Sequence, residues 1–149
     1  MIIRVQQEDF DLAEVNRELT AGRSDIGAIA SFIGLVRDLP DNPLRHMTLE
    51  HYPGMTEAAL QRIADRAQQR WAVADLAIIH RVGALEPADQ IVLVTVLSAH
   101  RGDAFSACQF IMDYLKTEAP FWKKEAGEKG ARWVDARASD DRALKKWKE

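Results

Sequence analysis

The stretch FIMDYLKTEAPFWKKE, Phe110 to Glu125, decides how the chain is read, because sixteen residues hold a helix end, a breaker and the start of a strand. Upstream, Ala104, Ala107, Cys108, Ile111 and Leu115 recur at helical spacing and predict one buried helix face. Asp103 is the expected N-cap. Pro120 pushes Ala119 out of the α region, so the helix is expected to stop near Lys116 or Thr117. Lys116 then sits in a last turn, where the helix dipole favours a cation. Phe121 to Ala126 reads as a strand. Its period of two puts Lys123 and Glu125 on one face, about 6.6 Å apart along the strand, and Trp122 and Lys124 on the other. Lysines in such places are ordinarily solvated, and Phe121 and Trp122 suit a core as well as a site, so the stretch alone assigns no chemistry.

Working outward, Ile91 to Ser98 (IVLVTVLS) is the most β-branched run and predicts a central strand that delivers His100 and Arg101 to its end. Ile26 to Val36 and Leu76 to Val82 predict further strands, and Arg45 to Tyr52 the strand returning from a Leu39–Leu44 loop. Helices are expected from Asp9 or Asp11 to Leu19 and from Thr56 to Arg70, with Gly83 to Gln90 as a turn. Gly127 to Gly130 joins a closing hairpin whose second arm is Ala131 to Arg137. Antiparallel runs interleaved with packed helices mean an α+β fold.

The chain has 149 residues, 47% hydrophobic and 29% charged, which fits one domain, 1–149, with residues 138–149 as a flexible tail holding at most a short helix near Leu144 and Trp147. A net charge of −3 implies no global attraction to nucleic acid. One cysteine, Cys108, excludes an intrachain disulfide and a cysteine-based zinc cage, and its place on the apolar stripe predicts an inert thiol. No apolar run approaches the roughly 20 residues of a membrane span, and the opening MIIRVQQEDF lacks a signal-type apolar region, so no membrane contact and a cytoplasmic location are expected. His46, His51 and His80 match no metal-ligand spacing, and no metal or cofactor is expected.

Arg37, His100, Arg101, Lys116 and Lys123 all fall at the ends of expected elements, where sites tend to be built. As a cationic set in an acidic protein they suit a small anion, since arginine grips phosphate or carboxylate bidentately and lysine adds a mobile charge or a proton donor. The bland alternative pairs Arg37 with Asp38 or another surface acid, and Arg101 with Asp103. The same pattern also fits a regulatory dimer that binds a phosphorylated metabolite without turnover, or a scaffold that only docks a partner through Phe121, Trp122 and the hairpin.

Four blocks in order, LEHYPGMTEAAL (Leu49–Leu60), SAHR (Ser98–Arg101), FIMDYLKTEAPFWKKE (Phe110–Glu125) and RWVDAR (Arg132–Arg137), resemble the large, catalytic subunits of molybdopterin synthases, the MoaE family. The likeness runs from about Ile26 to Trp147. It implies an α/β-hammerhead fold with an additional antiparallel β subdomain. It also implies a homodimer that binds two small ubiquitin-like sulfur-carrier subunits as a heterotetramer. The implied reaction converts cyclic pyranopterin monophosphate to molybdopterin, each sulfur coming from the thiocarboxylated C-terminal glycine of the small subunit. On this resemblance Lys116 and Lys123 are the catalytic lysines. Substrate binding falls to Arg37, His100, Arg101, Lys124, Glu125, Phe32, Met112 and Arg137. Two positions depart from the pattern, Leu35 and Glu118, where relatives carry basic residues.

Overall fold

The computed structural model describes residues 1–38, 44–127, 130–134 and 138–148. Its elements run β1 (Ile2–Gln6), α1 (Leu12–Thr20), β2 (Ala28–Leu35), β3 (Leu44–His51), α2 (Met55–Arg70), β4 (Asp75–Arg81), β5 (Gly83–Leu85), β6 (Gln90–Ser98), α3 (Arg101–Glu118), β7 (Phe121–Gly127), β8 (Gly130–Val134) and α4 (Ala138–Lys145). They form two four-stranded sheets, ordered β1-β4-β6-β2 and β5-β3-β7-β8, and the class is α+β. In the first sheet only β1 and β4 run parallel; the second is antiparallel throughout.

The β-branched run becomes β6, paired on both sides by β4 and β2. Its alternation serves two layers. Val92, Val94 and Val96 join the cluster under α2 and α3, while Leu93 and Leu97 join Val15 and Leu19 of α1 on the opposite face. Asp11 caps α1, its carboxylate accepting from the Glu14 N–H at 3.0 Å. The second sheet covers a smaller cluster of Val36, Met47, Leu49, Val82 and Leu85. Among the described residues no helix is long and apolar enough to cross a membrane.

Several expectations are corrected. β3 does not return alongside β2; it pairs with β5 and β7 in the second sheet, a choice set by a strand far later in the chain. Part of the expected turn after Val82 is β5, which lies against Met47 to Leu49. Asp103 is not the cap of α3. His100 holds that position without a side-chain bond, and the Asp103 carboxylate instead accepts from the Ala72 N–H at 3.2 Å. α3 runs on to Glu118, with Ala119 extended as a residue before proline must be. The short helix expected near Leu144 and Trp147 is present as α4. Leu144 is buried, and Trp147 packs edge-on against Trp71 and Phe110 while its indole N–H donates to Asp113 at 2.6 Å. Cys108 is buried on the apolar stripe, and burial pushes its thiol up to about 11. The Leu39–Leu44 loop falls, apart from Leu44, outside the described residues.

Gly27 ties the start of β2 to the segment that launches α3. Its N–H donates to the Ser98 carbonyl at 3.0 Å, and a Cβ here would run into the Ala99 carbonyl oxygen, a backbone atom that cannot swing aside. Gly27→Ala is expected to cost about 2 kcal/mol, the usual scale of overpacking, read from urea denaturation. An unchanged midpoint would show that the Ser98–Arg101 segment yields freely.

Candidate active site

The end of α3 and the start of β7 meet at a buried imidazole. His80, on β4, is 5% exposed and lies on the sheet face that carries α2 and α3. Phe121 stacks on it, ring centres 3.8 Å apart and planes 18° from parallel. A carbonyl can only accept, so the 2.8 Å contact of His80 Nδ1 with the Arg81 carbonyl places the proton on Nδ1. Burial pushes the His80 pKa down to about 4, helped by the charge of nearby Lys116 and by His51, and opposed by that backbone bond. The imidazole is therefore neutral at physiological pH.

Around this hub the two expected lysines take their places. Lys116 is exposed in the last turn of α3, near enough to His80 to act on it electrostatically. Lys123 is half-buried two residues beyond Phe121, opposite Leu49 of β3. Strand alternation puts Lys123 on the same face as Phe121, the face of buried Met47 and Leu49. Lys124 and Glu125 follow in register with Thr48 and Met47. Arg37 emerges exposed just past β2, where Val36 is fixed by two backbone bonds to the 88–89 turn, at 2.8 and 2.9 Å. Because Val36 and Leu49 belong to one cluster, Arg37 and Lys123 leave from the same apolar patch.

His100 and Arg101 stand apart from this group. Both are exposed at the N-terminal end of α3, whereas Lys116 is at its C-terminal end, about 22 Å along the axis at 1.5 Å per residue. α3 runs back along β6, its Cys108 thiol reaching the Val94 carbonyl midway at 3.8 Å. β2 is antiparallel to β6, so Arg37 sits at the Lys116 end and Ala28 at the His100 end. One chain thus holds two separate cationic ends. Along α3, Arg101, Phe105, Met112 and Lys116 fall on a common stripe. Phe105 is 66% exposed and Phe32, on the α3-facing side of β2, 42%. Met112 is buried in the main cluster within the single chain. Arg137 lies outside the described residues.

The local charges suit an anion at the lysine end. Glu118, the acid that breaks the basic pattern, is met by Arg66 of α2 at 3.0 Å. Among the described residues Arg101 forms no salt bridge with Asp103, whose carboxylate accepts instead from the Ala72 N–H. A groove between β1 and α1 is lined by four acids, Asp9, Asp11, Glu14 and Glu18, against one cation, Arg4, and disfavours an anion. Sequence reasoning missed Thr56 and the structural place of His80. The signal for His80 was a lone polar residue inside the apolar run LAIIHRV.

The family model described as MoaE protein matches residues 5–118. The chain is 64% identical over 146 residues to a molybdopterin synthase catalytic subunit of Ralstonia nicotianae, covering 97% of this chain and 83% of that protein. Among solved structures it is similar to a molybdopterin biosynthesis MoaE protein of Burkholderia ambifaria, with 57% identity, TM-score 0.86 and coverage of 99% and 98%. It shares its fold, at 18% identity and TM-score 0.75, with a chain of the protein–protein complex of subunits 1 and 2 of molybdopterin-converting factor of Helicobacter pylori, covering 90% of each.

His80 makes stability depend on pH in a defined direction. Its folded pKa is about 4 and its ordinary value 6.5, so above pH 6.5 both folded and unfolded forms are neutral and nothing is lost. As pH falls from 6.5 towards 4 the unfolded chain gains a proton the folded one refuses, a loss of roughly 3 kcal/mol. Denaturation at pH 7.5 and 4.5 should show this loss in the wild type and its absence in His80→Phe. Equal losses in both proteins would clear His80 of the role.

Proposed function

The chain belongs to the MoaE protein family and is a sulfurtransferase, the catalytic subunit of a molybdopterin synthase in molybdenum cofactor biosynthesis, and we propose that Lys116 and Lys123 carry the transfer. Its partner is the small subunit of that enzyme. The substrate is cyclic pyranopterin monophosphate, and the sulfur donor is the thiocarboxylated C-terminal glycine of the ubiquitin-like small subunit. The observation that carries this reading is that Lys116 and Lys123 belong to the two elements that meet at one buried, neutral hub, with Arg37 at the same end of the molecule.

The chemistry asks for fixed cations at that point. Thiocarboxylate and cyclic phosphate are both anionic, and attack at the acyl or pterin carbon builds charge on oxygen. Cations held in place before the reaction stabilise that charge without reorganising, often the largest catalytic contribution. Lys116 stabilises the developing charge and shuttles the proton. Lys123 orients the pterin and donates when the cyclic phosphate opens. Arg37 holds the phosphate, with Lys124 and Glu125 continuing the wall; Phe32, Met112 and Arg137 line the remainder.

His100 and Arg101 complete the site from a second copy. β2 is the edge of its sheet, with Ile29, Phe32 and Leu35 exposed along it and Phe105 beside it. Such an edge is an open template for another strand. A two-fold axis that pairs β2 antiparallel with its copy brings the His100 end of one protomer to the Lys116 end of the other. The spacing of about 22 Å within one chain, too long for one small pterin, supports this arrangement. The assembly is then a homodimer with a small subunit at each end, a heterotetramer.

Two experiments test the reading. In a single-turnover mixture of this protein, thiocarboxylated partner and cyclic pyranopterin monophosphate, the wild type should yield the dithiolene, followed as its fluorescent oxidation product. Lys116→Ala should lower the rate at least a hundred-fold, in line with loss of a preorganised charge. Tight binding of both components with no transfer by the wild type would favour the non-catalytic anion-binding dimer. Separately, Phe105→Glu should shift the protein from dimer to monomer in sedimentation and abolish turnover. A monomeric wild type that still turns over would rule out the shared site.

A further inference from the structure

The two lysines lie on different elements, and what sets one relative to the other is the turn between them. Phe121 N–H donates back to the Ala119 carbonyl at 2.9 Å, closing a three-residue turn at Pro120. Two side chains from elsewhere in the sequence grip this turn. Thr56, wholly buried at the start of α2, donates its hydroxyl to the Pro120 carbonyl at 2.9 Å across 64 residues. The same hydroxyl accepts from the Tyr52 N–H at 3.1 Å, and the Thr56 N–H returns a bond to the Tyr52 carbonyl at 2.9 Å. On the other side His80 stacks on Phe121.

The Thr56 end is itself braced. Gly54 takes a left-handed φ of 84°, and its N–H is shared by the two carboxylate oxygens of Glu57 at 3.3 and 3.4 Å. His51 approaches that carboxylate at 3.9 Å, and the Tyr52 ring lies 4.6 Å from Trp122, the residue after Phe121. The block from His51 to Glu57 is therefore a bracket that reaches the lysine-bearing turn through the β3–β7 pairing and the Tyr52–Trp122 contact on the strand, and through the Thr56 hydroxyl at Pro120 itself.

We propose that Thr56 is a positioning residue for sulfur transfer, its hydroxyl fixing the Pro120 turn, with His80 holding Phe121 from the other side, so that Lys116 and Lys123 stand at a set separation. The inference rests on the reading that these lysines carry the transfer. Neither Thr56 nor His80 touches the reacting atoms. Each acts through the turn, and a displacement of about 1 Å at a reacting group is enough to cost up to a hundred-fold in rate.

The test is the single-turnover assay, run with the whole protein and its thiocarboxylated partner, beside titrations for partner affinity. Thr56→Val keeps the shape and removes both hydroxyl bonds. It should slow transfer about ten- to a hundred-fold with partner and substrate affinities unchanged, and Thr56→Ser should restore the rate. Phe121→Leu, which loses the stack on His80 and keeps the threonine, should show the same split and serves if Thr56→Val does not fold. Val15→Ala, in the separate α1 layer, controls for general loosening and should transfer at the wild-type rate. A wild-type rate in a folded Thr56→Val or in Phe121→Leu overturns the proposal, as does a Thr56→Ser no better than Thr56→Val. Absence of transfer by the wild type itself overturns the functional reading and takes this inference with it.

Discussion

The chain changes direction at Ala119–Pro120–Phe121, and that turn is the constraint on which the rest depends. Before it lies a helix packed on the first sheet; after it lies a strand in the middle of the second. Proline ends the helix because its ring forbids the α conformation to the residue before it. The stacked Phe121 and His80 then anchor the second sheet against the first. Without that fixed corner, the cation at the helix end and the cation on the strand would belong to two bodies free to shift against each other.

A buried histidine is an economical choice for the corner. Its ring fills space as an aromatic would, and its Nδ1–H satisfies the Arg81 carbonyl. Its low pKa keeps it uncharged beside Lys116, so it adds no repulsion to a region that already gathers positive charge. A lysine or arginine there would bury an unpaired charge, which is far costlier than a hydrogen-bonded neutral ring. The positive field at the site then comes from side chains at its rim.

Local pattern made α3, its proline stop, β6 and β7 legible, because spacing, β-branching and a breaker act within a few residues. The α+β class followed from their order. What escaped was decided by partners distant in sequence. Asp103 has the chemistry of a cap, but Ala72 N–H claims its carboxylate. β3 has the alternation of a returning strand, and only β7 reveals which sheet it joins. β5 hid between Gly83 and Pro87, residues that ordinarily mark a turn. The short helix near Leu144 and Trp147 was legible, but not that these two residues seat it on the core. For the site, the cationic positions were visible as element ends, but their division between the two ends of α3 needed the path of β2, β6 and α3.

The pairing of β3 with β7 also orders events during synthesis. The first sheet is complete once β6 has been made, with all its strands between Ile2 and Ser98. β3, made early, can pair with β5 but must wait for β7 through the whole of α3, and Thr56 must wait equally long for Pro120. Contacts that close such long loops form late, after local and nearby pairings have reduced the chain's freedom. The lysine corner is therefore among the last parts of the molecule to take shape on the ribosome, so a chain released before Phe121 has emerged would carry a nearly finished first sheet and no working centre.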